Sequence, residues 1–235
     1  GSTALNADCV DDNTAVGRNA LLVFTGSDAT VVGSGAADAA TSGANLTAVG
    51  KNALGASIDG NRNTAVGADA LGADCVDDNV AIGQIALTAF TGSDATAVGR
   101  AAGWNATSAA ALTAVGTNAC GTDDGNNNTA VGYDCMAANA ADDNTGVGKD
   151  ALKVFTGSSA TAVGSYALKA LTTGAHNTAV GSSCLDATDD GARNTAVGYA
   201  SMGENCANDN TAVGNLALNA FTGSDATAVG SYAAD

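Results

Sequence analysis

The residues able to do chemistry are mostly carboxylates. Paired aspartates recur at Asp11–Asp12, Asp77–Asp78, Asp123–Asp124, Asp142–Asp143 and Asp189–Asp190, with Asp59 and Asp209 close in phase. Neighbouring carboxylates repel one another unless water, a backbone N–H or a cation compensates. Calcium takes about six to eight oxygens, so the pairs at 123–124 and 142–143, one repeat apart, are the candidate calcium corner. The pattern is not the glycine-rich calcium repeat, and Asp is a favoured turn residue. Solvated, turn-capping Asp is therefore the better reading, and no other cofactor is expected. Two carboxylates can also hydrolyse a glycoside, but the chain has few aromatics to line a sugar groove.

Six cysteines occur without any CxxC pair, which argues against zinc and redox motifs. Disulfides are the expectation, with Cys120–Cys135 the better-placed pair and Cys184–Cys206 the weaker one. Cys9 and Cys75 share a column four repeats apart, roughly 19 Å, too far to bond each other. Asn45, Asn105 and Asn127 head Asn-X-Ser/Thr triplets and are glycosylation candidates. His176 is the sole histidine, next to a repeat motif in a turn, and nothing marks a nucleophile or orienting acid for it. Trp104 is a lone aromatic in a turn, suited to a sugar, a partner or a chain interface. No catalytic residue is expected, and no enzyme.

The elements that position these residues are set by repetition. The motif "NTAVG" or a near copy closes on Gly17, Gly33, Gly50, Gly67, Gly83, Gly99, Gly116, Gly132, Gly148, Gly164, Gly181, Gly198, Gly214 and Gly230, always 16 or 17 residues apart. A longer period lies above it: "FTGSD" at 24–28, 90–94 and 221–225, with "FTGSS" at 155–159, marks blocks of about four repeats. No linker interrupts the series, so 1–235 reads as one repetitive domain. Neither end carries a distinct cap, which repeat stacks need; the sequence reads as a segment of a longer fibre or a unit that stacks end to end.

Composition agrees. The chain has 31 glycines and no proline, its apolar residues are mostly Ala and Val, and its net charge is −16. Small residues imply a thin core. An acidic surface repels nucleic acid and anionic membranes, and no apolar run is long enough to span a membrane.

Thr and Val suit a strand, Gly a tight corner, and the following "xxAL" and Asp/Asn/Gly/Ser stretches suit a second short strand and turns. The fold expected is all-β: a parallel β-solenoid, or β-roll, of fourteen coils. At about 4.8 Å per coil it would be a rod of roughly 65 Å. In strand alternation the residue before the glycine and the Thr two earlier share a face. Val16, Val49, Val66, Ile82, Val98, Val131, Val180 and Val213 are assigned to the core on this basis, and the intervening Ala to the outside. A small apolar outer column suggests a neighbouring chain. The reverse assignment, with Ala inside a very thin coil, is the competing one. Phe24, Phe90, Phe155 and Phe221 plug a corner once per block, and the Asn before the Thr could stack in amide ladders.

"SYALKALTTGAHNTAVGSSCL" at 165–185 resembles the repeats of phage and bacterial tail-fibre proteins. More distantly, the chain is similar to the head repeats of trimeric autotransporter adhesins, with their "SVAIGxxA" coils. The resemblance covers essentially the whole chain and implies left-handed β-rolls packed as a homotrimer, outside the cell or on a virion surface. The coils here are longer than adhesin head coils, and no chaperone domain, stalk or anchor is present in the sequence. The leading expectation is a structural fibre or adhesin rod whose partner is itself, as a trimer or an end-to-end filament, with a cell-surface glycan as a further partner. The alternatives are an ice-binding solenoid using the Thr column, discriminated by which way Thr faces, and a carbohydrate-binding or depolymerising fibre.

Overall fold

A computed structural model describes residues 3–5, 7, 10 and 12–234. Among these there is no helix, hence none long and apolar enough to cross a membrane. The chain is an all-β parallel solenoid of fourteen coils, each contributing one three-residue strand that ends just before a repeat glycine. It divides into two compact units, residues 1–118 and 119–235; repeat spacing alone marks no boundary there.

The first unit holds β1 (Thr14–Val16), β2 (Thr30–Val32), β3 (Thr47–Val49), β4 (Thr64–Val66), β5 (Val80–Ile82), β6 (Thr96–Val98) and β7 (Thr113–Val115). The second holds β8 (Thr129–Val131), β9 (Thr145–Val147), β10 (Thr161–Val163), β11 (Thr178–Val180), β12 (Thr195–Val197), β13 (Thr211–Val213) and β14 (Thr227–Val229). Within each unit successive strands pair in parallel and in register, Thr on Thr, Ala on Ala and Val on Val. Within each unit, from its second coil on, the repeat glycine donates its N–H to the Val or Ile carbonyl of the coil before, as Gly67 does to Val49 at 2.8 Å.

The core reverses the expected faces. The Ala rank is buried, Ala48, Ala65, Ala114 and Ala162 with no exposure, while the flanking Thr and Val point outward. Val16, Val49, Ile82, Val180 and Val213 are exposed, and Val66, Val98 and Val131 are half-buried. None is a core rung. The reason is the opposite wall, built by the "xxAL" segment. Ala53, Ala70 and Ala151, three residues after a repeat glycine, and Leu54, Leu71 and Leu152, four after, are fully buried. These leucines cross the thin interior and leave only a methyl's width beneath the strand. Gly146 shows how little room there is. It stands in the Ala rank, where a Cβ would lie 2.6 Å from Cys135 Sγ, 3.4 Å from Met136 Cε and 3.7 Å from Leu152 Cδ1. Cys135 replaces a core Ala, and the loss of a methyl at 146 makes space for its sulfur.

A similar exchange fills the sixth and seventh coils. Gly103 occupies the Leu rank, and a Cβ there would come within 2.7 Å of Leu87 Cδ2 and 3.5 Å of Leu112 Cδ2. Leu112, like Leu46, stands where other coils carry Asn or Ala, so the volume moves across the core rather than vanishing. Phe24, Phe90 and Phe155 are fully buried, as expected of plugs; Phe221, with no complete coil after it, is half-buried.

Where Asn precedes the strand it forms a ladder, through the backbone rather than amide to amide. Asn63 Oδ1 accepts the N–H of Asn79 at 2.9 Å, and Asn79 Oδ1 accepts that of Ala95 at 3.0 Å. Each Nδ2 donates to turn carbonyls, as Asn79 does to Val76 and Gly92. A buried Asn thus satisfies backbone groups that water cannot reach.

Candidate functional site

The outward face of the strands is the most regular surface of each unit. In the second unit Val163, Val180, Val197 and Val213, on successive coils, are 37, 39, 36 and 37 % exposed. A Thr rank runs beside them two residues away. Every strand from β1 to β14 repeats this pair of outward positions except for Val80 and Ile82 in β5. One border carries the residue after each glycine, including Arg18, Lys51, Arg100, Tyr133, Lys149 and Tyr199. The other carries the residue before the Asn rank, including Asp12, Asp28, Asp78, Asp94, Asp143, Asp209 and Asp225. That second border has a left-handed backbone, φ 63° at Asp78 and 65° at Asp143, which suits Asp and Asn.

Some of the aspartates cap turns through backbone N–H groups, and others are held by side-chain donors. Asp77 accepts from the N–H of Asn61 at 2.8 Å and from Arg62; Asp142 accepts from the N–H of Asn126, also 2.8 Å. Asp59 accepts from Ser42 and Thr41 hydroxyls, which hold its carboxyl below the usual range. Asp78 and Asp209 pair with Arg62 and Arg193, each at 2.6 Å, and are lowered for that reason. Asp189 accepts from Thr172, and Asp11 lies outside the described residues. At the candidate calcium corner Asp123 is buried, while Asp142 and Asp143 accept from Asn126 and Asn127. Among the described residues no group of three or more His, Cys, Asp or Glu side chains is placed to hold a metal ion.

Asp123 is the exception among the carboxylates. It is fully buried, with Asn128 Nδ2 donating to its two oxygens at 3.1 and 3.0 Å and the Gly125 N–H at 3.2 Å. The Cys120 thiol is a further hydrogen-bond neighbour. Burial pushes the Asp123 carboxyl up to about 7. Nothing in a turn-like "GTDDGN" marks one Asp of the pair as internal.

The expected disulfides are not formed. Cys75, Cys120, Cys135, Cys184 and Cys206 are free and buried, and Cys9 lies outside the described residues. Cys120 and Cys135 stand in adjacent ranks, but the Cys120 thiol faces Asp123 while Cys135 Sγ occupies the space under Gly146. Burial raises Cys135 and Cys184 to about 12 and Cys206 to about 11. Thiols this protonated pack as small hydrophobes.

Asn45, Asn105 and Asn127 are exposed, as glycosylation acceptors must be, and His176 is an exposed turn residue. Trp104 is partly exposed at a turn of the first unit. The tyrosines went unremarked in the sequence, although Tyr133, Tyr166, Tyr199 and Tyr232 recur every 33 residues, which is two coils. Compared with known proteins, the chain matches no family model, no curated protein and no solved structure.

Proposed function

We propose that the chain is a segment of a structural fibre, of the tail-fibre and adhesin-head kind its repeats resemble, working outside the cell or on a virion surface. Its units associate with copies of themselves through the Thr/Val face. The observation that carries this reading is the outward Val rank. Single exposed valines are ordinary, but an aligned apolar rank is a surface that favours a partner. The Ala column is interior and offers no such surface. The bordering ranks add complementarity: an edge with Arg and Lys on one copy suits the Asp-bearing edge of the next.

The test is sedimentation equilibrium with negative-stain microscopy of the full chain. Oligomers or filaments are expected, and Val163→Lys with Val197→Lys should return them to monomers without loss of β-structure. A wild-type chain that stays monomeric at tens of micromolar would sink the proposal.

One observation favours a second reading. The Thr rank faces solvent, the orientation an ice-binding solenoid requires. Strand and coil spacings give a flat grid of about 4.8 by 6.8 Å between side chains, a size suited to ordered water. Its partner rank is Val rather than a second Thr. Thermal hysteresis by the monomer, abolished by Thr161→Lys, would put this reading ahead of the first.

A further inference from the structure

The Thr/Val face leaves the tyrosines of the second unit without a role. They are the only four in the chain, and all lie on one edge just past the repeat glycines. Tyr133 and Tyr199 directly follow a glycine; Tyr166 and Tyr232 come one residue later. The two positions are consecutive in the chain, and a side chain in the first reaches one in the second on the next coil. Lys149, which directly follows Gly148, donates from Nζ to Tyr166 Oη at 2.9 Å and lies 5.2 Å from the ring centroid. Tyr133, Tyr199 and Tyr232 are 53, 59 and 60 % exposed. Packing does not demand an aromatic here, since other coils place Ser34, Lys51, Gln84 or Thr117 in the first position and Asn52, Asp69, Ile85 or Asn118 in the second.

Coils stack about 4.8 Å apart, so a two-coil step is about 9.6 Å. That is close to the length of two sugars in an extended β-1,4-linked chain, whose pyranose faces are apolar and whose edges carry hydroxyls. We propose that this edge binds an extended, neutral β-1,4-linked polysaccharide, with Tyr133, Tyr199 and Tyr232 each stacking on a sugar ring.

Between Tyr133 and Tyr199, the Tyr166 ring is already engaged. Lys149 and Lys169 sit over it, Lys169 at 4.9 Å from its centroid. Here the rank offers ammonium donors to sugar hydroxyls instead of a bare ring. A neutral glycan fits better than an anionic one. The chain's net charge of −16 repels polyanions, and nearby Lys153 is taken up by Asp134 and Asp150 at 3.2 and 2.6 Å. The site is shallow, so binding rests on several weak contacts made at once along one ligand chain. The proposal does not depend on self-association through the Thr/Val face.

The test is depletion of the full chain from solution by insoluble cellulose and chitin, with granular α-1,4-glucan and a carboxylated β-1,4-glycan alongside. Retention on at least one of the two neutral β-1,4-glycans is expected, and weak retention on the others. Each of Tyr133→Ala, Tyr199→Ala and Tyr232→Ala should weaken binding roughly threefold, in the range of a single aromatic contact. The triple variant should lose it more than tenfold, with an unchanged melting curve because the rings are exposed. Tyr199→Phe should bind like the parent, and Trp104→Ala, on the first unit, should change nothing. No retention on either neutral β-glycan, equal retention on the α-glucan, stronger retention on the carboxylated glycan, or a triple variant that binds like the parent would each overturn the proposal.

Discussion

The strand side and the far turns of each coil obey different rules. On the strand side, successive coils within each unit repeat the same bonds, Gly N–H to the preceding Val or Ile carbonyl and Thr or Val N–H to the following coil, over a rank that is nearly all Ala. On the far side, coils gain or lose a residue, and Phe, Leu, Ser, Thr, Asp and Cys take turns filling the corner. Strictness follows from closeness. Where backbone meets backbone, one atom decides the fit; where side chains fill a corner, one volume can replace another.

Two glycine substitutions in a single coil should differ most in their effect. Gly50 has φ +140°, and a Cβ there would lie 2.5 Å from the carbonyl oxygen of Gly67. Gly50→Ala should cost about 3 kcal/mol or more in urea denaturation, through backbone displacement and strain. Gly55→Ala, five residues on, meets its nearest atom at 3.0 Å with an ordinary backbone, and should cost less than about 1 kcal/mol.

The Asn ladder comes next. Asn79→Ala strands the buried N–H of Ala95 and releases the carbonyls of Val76 and Gly92. A loss of about 2 kcal/mol is expected, with faster hydrogen exchange at the Ala95 amide. The exposed Asn105→Ala should leave stability within about 0.5 kcal/mol.

Asp123 tests the far side by pH. Its folded carboxyl is raised to about 7 from an ordinary 3.8, so the folded state holds the proton more tightly. Its contribution is fully present below about pH 4 and is lost as pH rises towards 7. The unfolding free energy from urea titrations should therefore fall between pH 5 and 7, by about 2 kcal/mol, and Asp123→Asn should flatten that slope. Asp78 and Asp209, lowered by their arginines, act in the opposite sense. Their stabilisation is present above the ordinary carboxylate range and is lost only as pH falls through their folded values.

The smallest effect belongs to the exposed ion pairs. Arg62→Gln removes contacts to Asp77 and Asp78 that water and salt already screen. The melting temperature at physiological salt should not move measurably.

Much of this was legible in the residues. Glycine spacing defined the coil number, the parallel register and the all-β class, and the phenylalanines were recognisable as plugs from their once-per-block period. Asp77 and Asp142 were readable as turn caps, whereas the burial of Asp123 was not. The facing of the strand was not legible, because Thr-Ala-Val alternates equally well either way round. Alternation says only that Thr and Val share a side. The 33-residue tyrosine period was present in the sequence, but its meaning depends on the two positions after the glycine sharing one edge, which the contact of Tyr166 with Lys149 reveals.

By itself the sequence determined a periodic object: Gly at each corner and β-branched residues beside it permit little else when repeated every 16 or 17 residues. Only the tertiary structure decided what lies inside. The interior is so thin that Leu from one wall reaches the other, leaving room for Ala and expelling Val. The same crowding turns Asp123 inward and keeps the described cysteines apart as free thiols. These outcomes depend on volumes meeting across the coil, and a repeat read along the chain carries no record of what stands opposite.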